Sequence, residues 1–366
     1  MSASRLAIAG GGTGGHVNPA LAIADAWVAA GAEAPLFIGT AQGLETRLVP
    51  QRGYRLELVS GSRLVGAGLL GKLRGMFGLV QGVLEARRLL RRDSVGLVVG
   101  VGGYASGAAL LAARTLGIGT AIHESNAVPG LTNKVLGRLV DRVYLGFEAA
   151  ASAFPASKVV VVGNPVRPEI AALQQQEHAA PAAGAPRRVL VVGGSQGALF
   201  LNQQVPALLG ALAEQGVAMR VRHQVGKLDA EPVRAAYAAA GIDAEVVTYI
   251  DDMAGELAVA DFAITRSGSG TVAELAAAGL PALLVPFPYA AGDHQAANAA
   301  AFCAGGAGHW CRQQSWDVQK LARDLHPLLT DNASWIRASA AARAVARPAA
   351  AAALVQDCEQ WSGRRA

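Results

Sequence analysis

A histidine closes the run Gly11-Gly-Thr13-Gly14-Gly15-His16, which follows the short apolar stretch Arg5 to Ala9. Strand, glycine turn and helix in that order bring backbone N–H groups and the positive end of a helix dipole up to an anion. The unit recurs where Arg188 to Val192 runs into Gly193-Gly-Ser195-Gln196-Gly-Ala198. An imidazole suits proton transfer better than it suits a pyrophosphate cradle. A helix N-terminus favours the neutral ring, the state a general base requires. The plainer reading is that His16 caps its helix or packs against it.

Three further segments carry groups fit for chemistry. Gly102-Gly-Tyr104-Ala-Ser-Gly107 follows Gly96 to Val101, and His123-Glu124-Ser-Asn126 follows Thr120 to Ile122. Both fall where strands of a parallel sheet end, the place at which such sheets bind ligands. Arg266-Ser-Gly-Ser269-Gly270-Thr271-Val-Ala-Glu274 opens a helix behind Phe262 to Thr265. It offers another set of N–H donors, with a carboxylate one turn in. Glu274 could accept both hydroxyls of a ribose, or merely complement the helix dipole.

A nicotinamide- or flavin-dependent oxidoreductase is the competing class, and it places an acid at the end of the second strand to hold the ribose. Here those strands end Phe37-Ile-Gly-Thr40 and His223-Gln224, so the acid is absent twice. Cys303, Cys311 and Cys358 form no Cys-x-x-Cys pair, His309 near Cys311 reads as packing, and no Asp-x-Asp pair occurs. No metal site and no cofactor are expected.

These segments need two α/β scaffolds. Strands are expected at Arg5–Ala9, Pro35–Gly39, Arg55–Val59, Gly96–Val101, Thr120–His123, Arg142–Leu145 and Val159–Val162, then at Arg188–Val192, Met219–Gln224, Glu245–Thr248, Phe262–Thr265 and Ala282–Pro286. Alternation with helical stretches predicts two doubly wound parallel sheets. Gly163-Asn-Pro-Val-Arg167 and the Gln-, Ala- and Pro-rich stretch 174–186 separate the halves. The alanine-rich run 338–353 is interrupted by Pro348, which predicts a kinked last helix able to return to the first domain. The domains are set at residues 1–163, 164–340 and 341–366.

With 366 residues, 52% of them hydrophobic and 16% charged, the chain can bury two cores and is not disordered. No secretory signal is legible at its start, and prolines 281, 286 and 288 cut the most apolar stretch, 275–292, so no membrane span is expected. Charge is uneven: residues 1–162 hold 16 Lys and Arg against 9 Asp and Glu, whereas 163–366 hold 16 against 18. Within the basic half, 63–92 sets Lys72, Arg74, Arg87, Arg88, Arg91 and Arg92 among Leu69, Leu70, Leu73, Met76, Phe77, Leu79 and Val80, with Glu85 the only acid. Two readings stand for this segment: contact with an anionic membrane surface, or an ordinary helix with its apolar side in the core. At 5% aromatic residues and without a recognised motif, nucleic acid binding is not expected.

Taken together, GGTGGH at 11–16, GGYASG at 102–107, HESN at 123–126, GNPVR at 163–167, GGSQGA at 193–198 and RSGSGTVAE at 266–274 resemble the MurG family. Its members are bacterial transferases that add N-acetylglucosamine to the undecaprenyl-linked muramyl-pentapeptide. The resemblance runs in order from residue 5 to about residue 300. It implies a GT-B fold, two Rossmann-like domains facing across a cleft, with UDP-N-acetylglucosamine held mainly by the second domain and the lipid acceptor by the first. It further implies that Arg167, Ser195 and Gln196 lie near the diphosphate and Ile250 near the uracil. Glu274 would hold the ribose, and Asn126 and Gln295 the sugar. Thr13, Gly14 and Gly15 would approach the donor, with Tyr104, Ser269, Gly270 and Thr271 also among the substrate contacts. The reaction would invert the anomeric carbon, with His16 as base and Glu124 as a second base or an orienting group. The site of action would be the cytoplasmic face of the cell membrane, as a peripheral protein. Another UDP-sugar enzyme of the same fold is the nearest alternative.

Overall fold

The structure, a computed structural model, describes residues 5–61, 69–176, 178–182, 184–194 and 196–362, and of 69–76 the backbone alone. Ser195 and Arg63 lie outside the described residues, as do the side chains of Lys72 and Arg74.

The chain begins β1 (Arg5–Gly10), α1 (Gly14–Ala29), β2 (Leu36–Gly39), α2 (Glu45–Gln51), β3 (Leu56–Leu58), α3 (Leu69–Arg92), β4 (Val95–Gly102), α4 (Tyr104–Thr115), β5 (Gly119–Glu124), α5 (Leu131–Leu139), β6 (Arg142–Leu145) and β7 (Val159–Val161). It continues α6 (Pro168–Ala171), β8 (Arg187–Val192), α7 (Leu199–Glu214), β9 (Met219–Gln224), α8 (Glu231–Ala239), β10 (Asp243–Val247), α9 (Met253–Val259), β11 (Phe262–Thr265), α10 (Ser269–Ala278), β12 (Ala282–Leu284), α11 (His294–Cys303), β13 (Gly308–Trp310), α12 (Val318–Thr330), α13 (Asn332–Ala344) and α14 (Ala350–Ser362). Contacts divide it into two units, Met1–Arg167 with Arg347–Ala366, and Pro168–Ala346.

The first unit is built on a seven-stranded parallel sheet ordered β3-β2-β1-β4-β5-β6-β7. Its central strands read as unbroken apolar runs because both faces are covered. On one face, Ala7, Val98 and Ile122 pack with Ala86 and Leu90 of α3, Ala109 of α4 and Leu136 of α5. On the other, Leu6, Ile8 and Val99 pack with Ile23 and Trp27 of α1 and with Leu354 and Cys358 of α14. Pro348 cannot continue the helix begun at α13, so the expected kinked helix is two separate helices, the second lying on α1. Tyr144 of β6 fastens it: the hydroxyl donates to Asp357 at 2.9 Å and accepts from the Trp361 indole at 3.0 Å.

The second unit has a six-stranded parallel sheet, β10-β9-β8-β11-β12-β13. Leu190 and Val191, and Ala263 and Ile264, are all buried although neighbours point to opposite faces, so the sheet centre is covered on both sides. The sequence reading missed β13, a three-residue edge strand whose Gly-His-Trp composition carries no strand period; His309 pairs there with Leu283. The expected 282–286 strand stops at Leu284, since Pro286 has no N–H to give a ladder. The first contact boundary lies at 167/168 and not 163/164. Gly163 and Asn164 hang from the first sheet through Gly163 N to Leu145 O at 3.0 Å and Asn164 Nδ2 to Ser125 O at 2.9 Å.

Candidate functional site

In an open parallel sheet, the loops on either side of the point where strand order reverses leave in opposite directions and open a ligand crevice. In the first unit that point lies between β1 and β4, and the loops there are the first glycine run and Gly102-Gly103. They are joined directly: Gly11 N donates to Gly102 O at 3.3 Å. Gly102 and Gly103 have φ of +107° and +85°, where L side chains are rare, and a Cβ on Gly103 would fall 2.7 Å from Gly11 O. The second motif is glycine-rich because the first loop lies on it.

His16 is the third residue of α1 and half-buried. Its Nδ1 is 3.1 Å from Gly11 O. A carbonyl only accepts, so Nδ1 carries a proton, and in the neutral tautomer this selects, Nε2 is the nitrogen with the lone pair. No side chain caps the first turn of α1, and Thr13 precedes it in extended conformation. Tyr104, 44% exposed, begins α4 beside this loop.

One strand further on, Glu124 ends β5 and is buried. Its Oε1 accepts from Asn126 N at 2.9 Å and Asn126 Nδ2 at 3.2 Å, and its Oε2 accepts from Gly130 N at 3.1 Å and Asn133 Nδ2 at 2.8 Å. Those donors engage both oxygens, so Glu124 orients the loop that carries Asn126 and is poorly placed to take a substrate proton. His123 is fully buried; Nε2 donates to Gly163 O at 3.1 Å and Nδ1 accepts from the Ser125 hydroxyl at 3.3 Å. Burial holds its pKa below the usual imidazole range, and the neutral ring clamps the end of β5 to the GNPVR segment. Arg167 ends that segment and the first of the two stretches that make up the first unit.

In the second unit the order reverses between β8 and β11. The glycine loop Gly193–Ala198 leaves one strand, with Gln196 exposed, and the start of α10 leaves the other. Ser269, Gly270 and Thr271 form the first turn of α10 without a side-chain cap, and Glu274 follows on the next turn, half-buried. Ile250 is buried behind β10, and its N–H donates to Gln224 Oε1 at 2.9 Å. The same carboxamide donates to Gly194 O at 3.2 Å, so Gln224 ties the glycine loop to Ile250. Gln295 Oε1 accepts from Phe287 N at 2.9 Å, and Gln295 O accepts from Ser267 Oγ at 2.8 Å. Those bonds hold Gln295 at the same end of the sheet as α10. Arg266 donates to Val285 O at 3.1 Å and Pro286 O at 3.2 Å; burial lowers its pKa to about 10, which leaves it charged at neutral pH.

Each unit therefore carries these expected residues behind the C-terminal ends of its strands, around its own reversal point and on the strands beside it. In the first these are Thr13, Gly14, Gly15, His16 and Tyr104, with Glu124 at the end of the next strand and Asn126 in the loop behind it. In the second they are Gln196, Ile250, Ser269, Gly270, Thr271, Glu274 and Gln295. A depression lined by Arg188, Arg220, Arg222, Asp243, Glu245 and Glu256 lies at the opening halves of β8 to β10, where none of these residues stands and acids and bases pair with one another.

The sequence reading passed over Glu45 and Gln224. Neither stands in a glycine motif; each acts on one from a neighbouring element, and pairing across strands is invisible along the chain. Along the chain Gln224 stands only where an oxidoreductase would carry its ribose acid.

Comparison with known families decides the class. A model of the glycosyltransferase family 28 N-terminal domain matches residues 6–145, and one of the family's C-terminal domain matches residues 188–354. The chain belongs to glycosyltransferase family 28. As a family 28 member it is a glycosyltransferase with two Rossmann-like domains of the GT-B class, which removes the oxidoreductase alternative. It is 45% identical over 361 residues to a protein of Acidithiobacillus ferrooxidans, covering 99% of each chain. It is 42% identical over 355 residues to one of Myxococcus xanthus, covering 97% of this chain and 92% of the relative. Both relatives are named UDP-N-acetylglucosamine--N-acetylmuramyl-(pentapeptide) pyrophosphoryl-undecaprenol N-acetylglucosamine transferase. Among solved structures, Acinetobacter baumannii MurG superposes with a TM-score of 0.81 at 33% identity, covering 98% of this chain and 99% of that one.

Among the described residues no helix is long and apolar enough to cross a membrane, and no group of His, Cys, Asp and Glu is arranged to hold a metal ion.

Proposed function

We infer that this family 28 enzyme transfers N-acetylglucosamine from UDP-N-acetylglucosamine to the 4-hydroxyl of the muramyl sugar on the undecaprenyl-diphospho-pentapeptide, giving the disaccharide lipid used for peptidoglycan. The observation that carries this is identity of 45% sustained over both domains to a relative named for that transfer. Incubation of the purified protein with labelled UDP-N-acetylglucosamine and the muramyl lipid is the test. Label in a butanol-extractable disaccharide lipid is expected, and label appearing only in another acceptor or in free sugar would overturn the reading.

The two units divide the work. The second holds the donor: the N–H groups of Gln196 to Ala198 and of Ser269 to Thr271 meet the diphosphate, Glu274 the ribose, the Ile250 backbone the uracil and Gln295 the sugar. Arg167 adds a cation against the charge that builds on the leaving diphosphate. The first unit supplies the base. His16 Nε2 takes the proton of the acceptor hydroxyl as that oxygen attacks the anomeric carbon, and the bond to UDP breaks on the opposite side, inverting the centre. Asn126, oriented by Glu124, and Tyr104 position the sugars.

Lipid attachment needs no span. In α3, Phe77, Val80 and Leu84 are exposed, at 73%, 54% and 52%, while Ala86 and Leu90 are buried in the core. An exposed apolar row three and four residues apart, with exposed Arg88 and Arg91, favours docking on an anionic bilayer over a purely internal apolar face. Arg87 and Arg92 contribute less than expected there, since Arg87 donates to Thr115 O at 3.2 Å and Arg92 pairs with Glu57 at 2.7 Å. These exposed residues support the reading of a peripheral enzyme at the membrane surface.

A further inference from the structure

Glu45, the first residue of α2, is 1% exposed, and no ion pair neutralises it among the described residues. Its charge is met by hydrogen bonds: Oε2 accepts from Gly12 N at 2.7 Å, and Oε1 accepts from Thr40 N and from Thr40 Oγ1, each at 3.1 Å. A Cβ placed on Gly11, Gly39 or Gly43 would run into this side chain, so three glycines on three segments clear its seat. Leu44 N adds a second tie, donating to Gly12 O at 3.2 Å. In a nucleotide-binding turn the anion comes from the ligand. Here the chain supplies its own.

We propose that Glu45 is a positioning residue for the transfer: it is an internal anion that fixes the Gly11–Gly12 backbone, and through the Gly11 carbonyl it fixes His16 with Nε2 unprotonated. The link is continuous, since Gly11 O is the acceptor 3.1 Å from His16 Nδ1. The same carboxylate occupies the Gly12 N–H, so that donor is not open to an anion of the ligand. The inference rests on the reading of His16 as the base.

The test compares full-length Glu45→Gln and Glu45→Ala with the parent and with His16→Ala. Turnover should fall about ten- to hundredfold in both Glu45 variants, because small displacements of a reacting group are costly. The calorimetric Kd for UDP-N-acetylglucosamine should stay within about a factor of two. In long-range imidazole 1H–15N spectra, with the His16 signals assigned by their loss in His16→Gln, a single Nδ1-protonated pattern should give way to a mixture of tautomers. Glu45→Gln keeps the volume and one carbonyl oxygen, so it decides the matter should the alanine variant fail to fold. Parent turnover in Glu45→Gln overturns the proposal, as does lost turnover with an unchanged imidazole pattern or with an equal loss of donor affinity. Full turnover in His16→Ala instead removes the base reading itself.

Discussion

The imidazole of His16 lies against the backbone of Gly102, so closely that a Cβ on Gly102 would fall 2.8 Å from Nε2. The atom proposed to take the proton is thus held between its own loop, which binds Nδ1, and the end of the neighbouring strand.

Two substitutions probe that arrangement. His16→Ala should lose about 10² to 10⁴ in kcat, the usual weight of a general base, with donor affinity retained. Gly102→Ala should lower kcat as well, because its φ of +107° is unfavourable for alanine and the methyl displaces the ring. Steady-state kinetics with calorimetric donor binding measures both. Unchanged kcat in His16→Ala would remove the assignment.

Glu124→Gln distinguishes an orienting group from a base. The buried carboxylate serves backbone and amide donors of Asn126, Gly130 and Asn133. A carboxamide turns one acceptor into a donor facing an N–H, at a cost of about 2 kcal/mol. A lowered melting temperature together with a raised KM for the sugar donor is expected. Loss of kcat at full thermal stability would restore Glu124 as a base.

Gln224→Ala should raise the Kd for UDP-N-acetylglucosamine about tenfold, the weight of roughly one well-placed buried hydrogen bond. It unties Gly194 from Ile250. Isothermal calorimetry reads this directly, and an unchanged Kd would show that the two loops hold their places independently.

Phe77→Ser with Leu84→Ser should reduce flotation with anionic liposomes, and Arg88→Gln with Arg91→Gln should reduce it at low salt more than at high salt. Turnover on a short-chain, water-soluble acceptor should be preserved in all four changes. Undiminished flotation of the serine pair would discard α3 as the contact.

The second unit carries a pH dependence of its own. His223 is buried; Nε2 donates to Asn202 Oδ1 at 3.2 Å, Nδ1 accepts from the Tyr237 hydroxyl at 2.9 Å, and burial lowers the pKa to about 4. An unfolded histidine protonates near pH 6.5, so between about pH 6.5 and pH 4 the unfolded state holds more protons. Stability from this group is full above pH 6.5 and is lost as pH falls, by roughly 1.4 kcal/mol per unit across that window. Urea midpoints at pH 7 and pH 4.5 should separate less in His223→Gln than in the parent; equal separation would sink the attribution.

Along the chain, the apolar runs, the glycine turns behind them and the prolines determined twelve of the thirteen strands among the described residues and the two-sheet organisation, because strand period, turn stereochemistry and the missing proline N–H are local properties. The motifs also set the expected site residues behind the C-terminal ends of strands, since parallel strands deliver those loops to one end. Tertiary structure alone decided what those residues do to each other. Donors from Asn126, Gly130 and Asn133 engage both oxygens of Glu124, which favours the orienting over the base reading of that residue, and Glu45 and Gln224 bond to partners on other elements. Burial of a carboxylate and the tautomer of an imidazole depend on which atoms surround them, and those neighbours come from strands that are adjacent in the sheet but distant in the sequence.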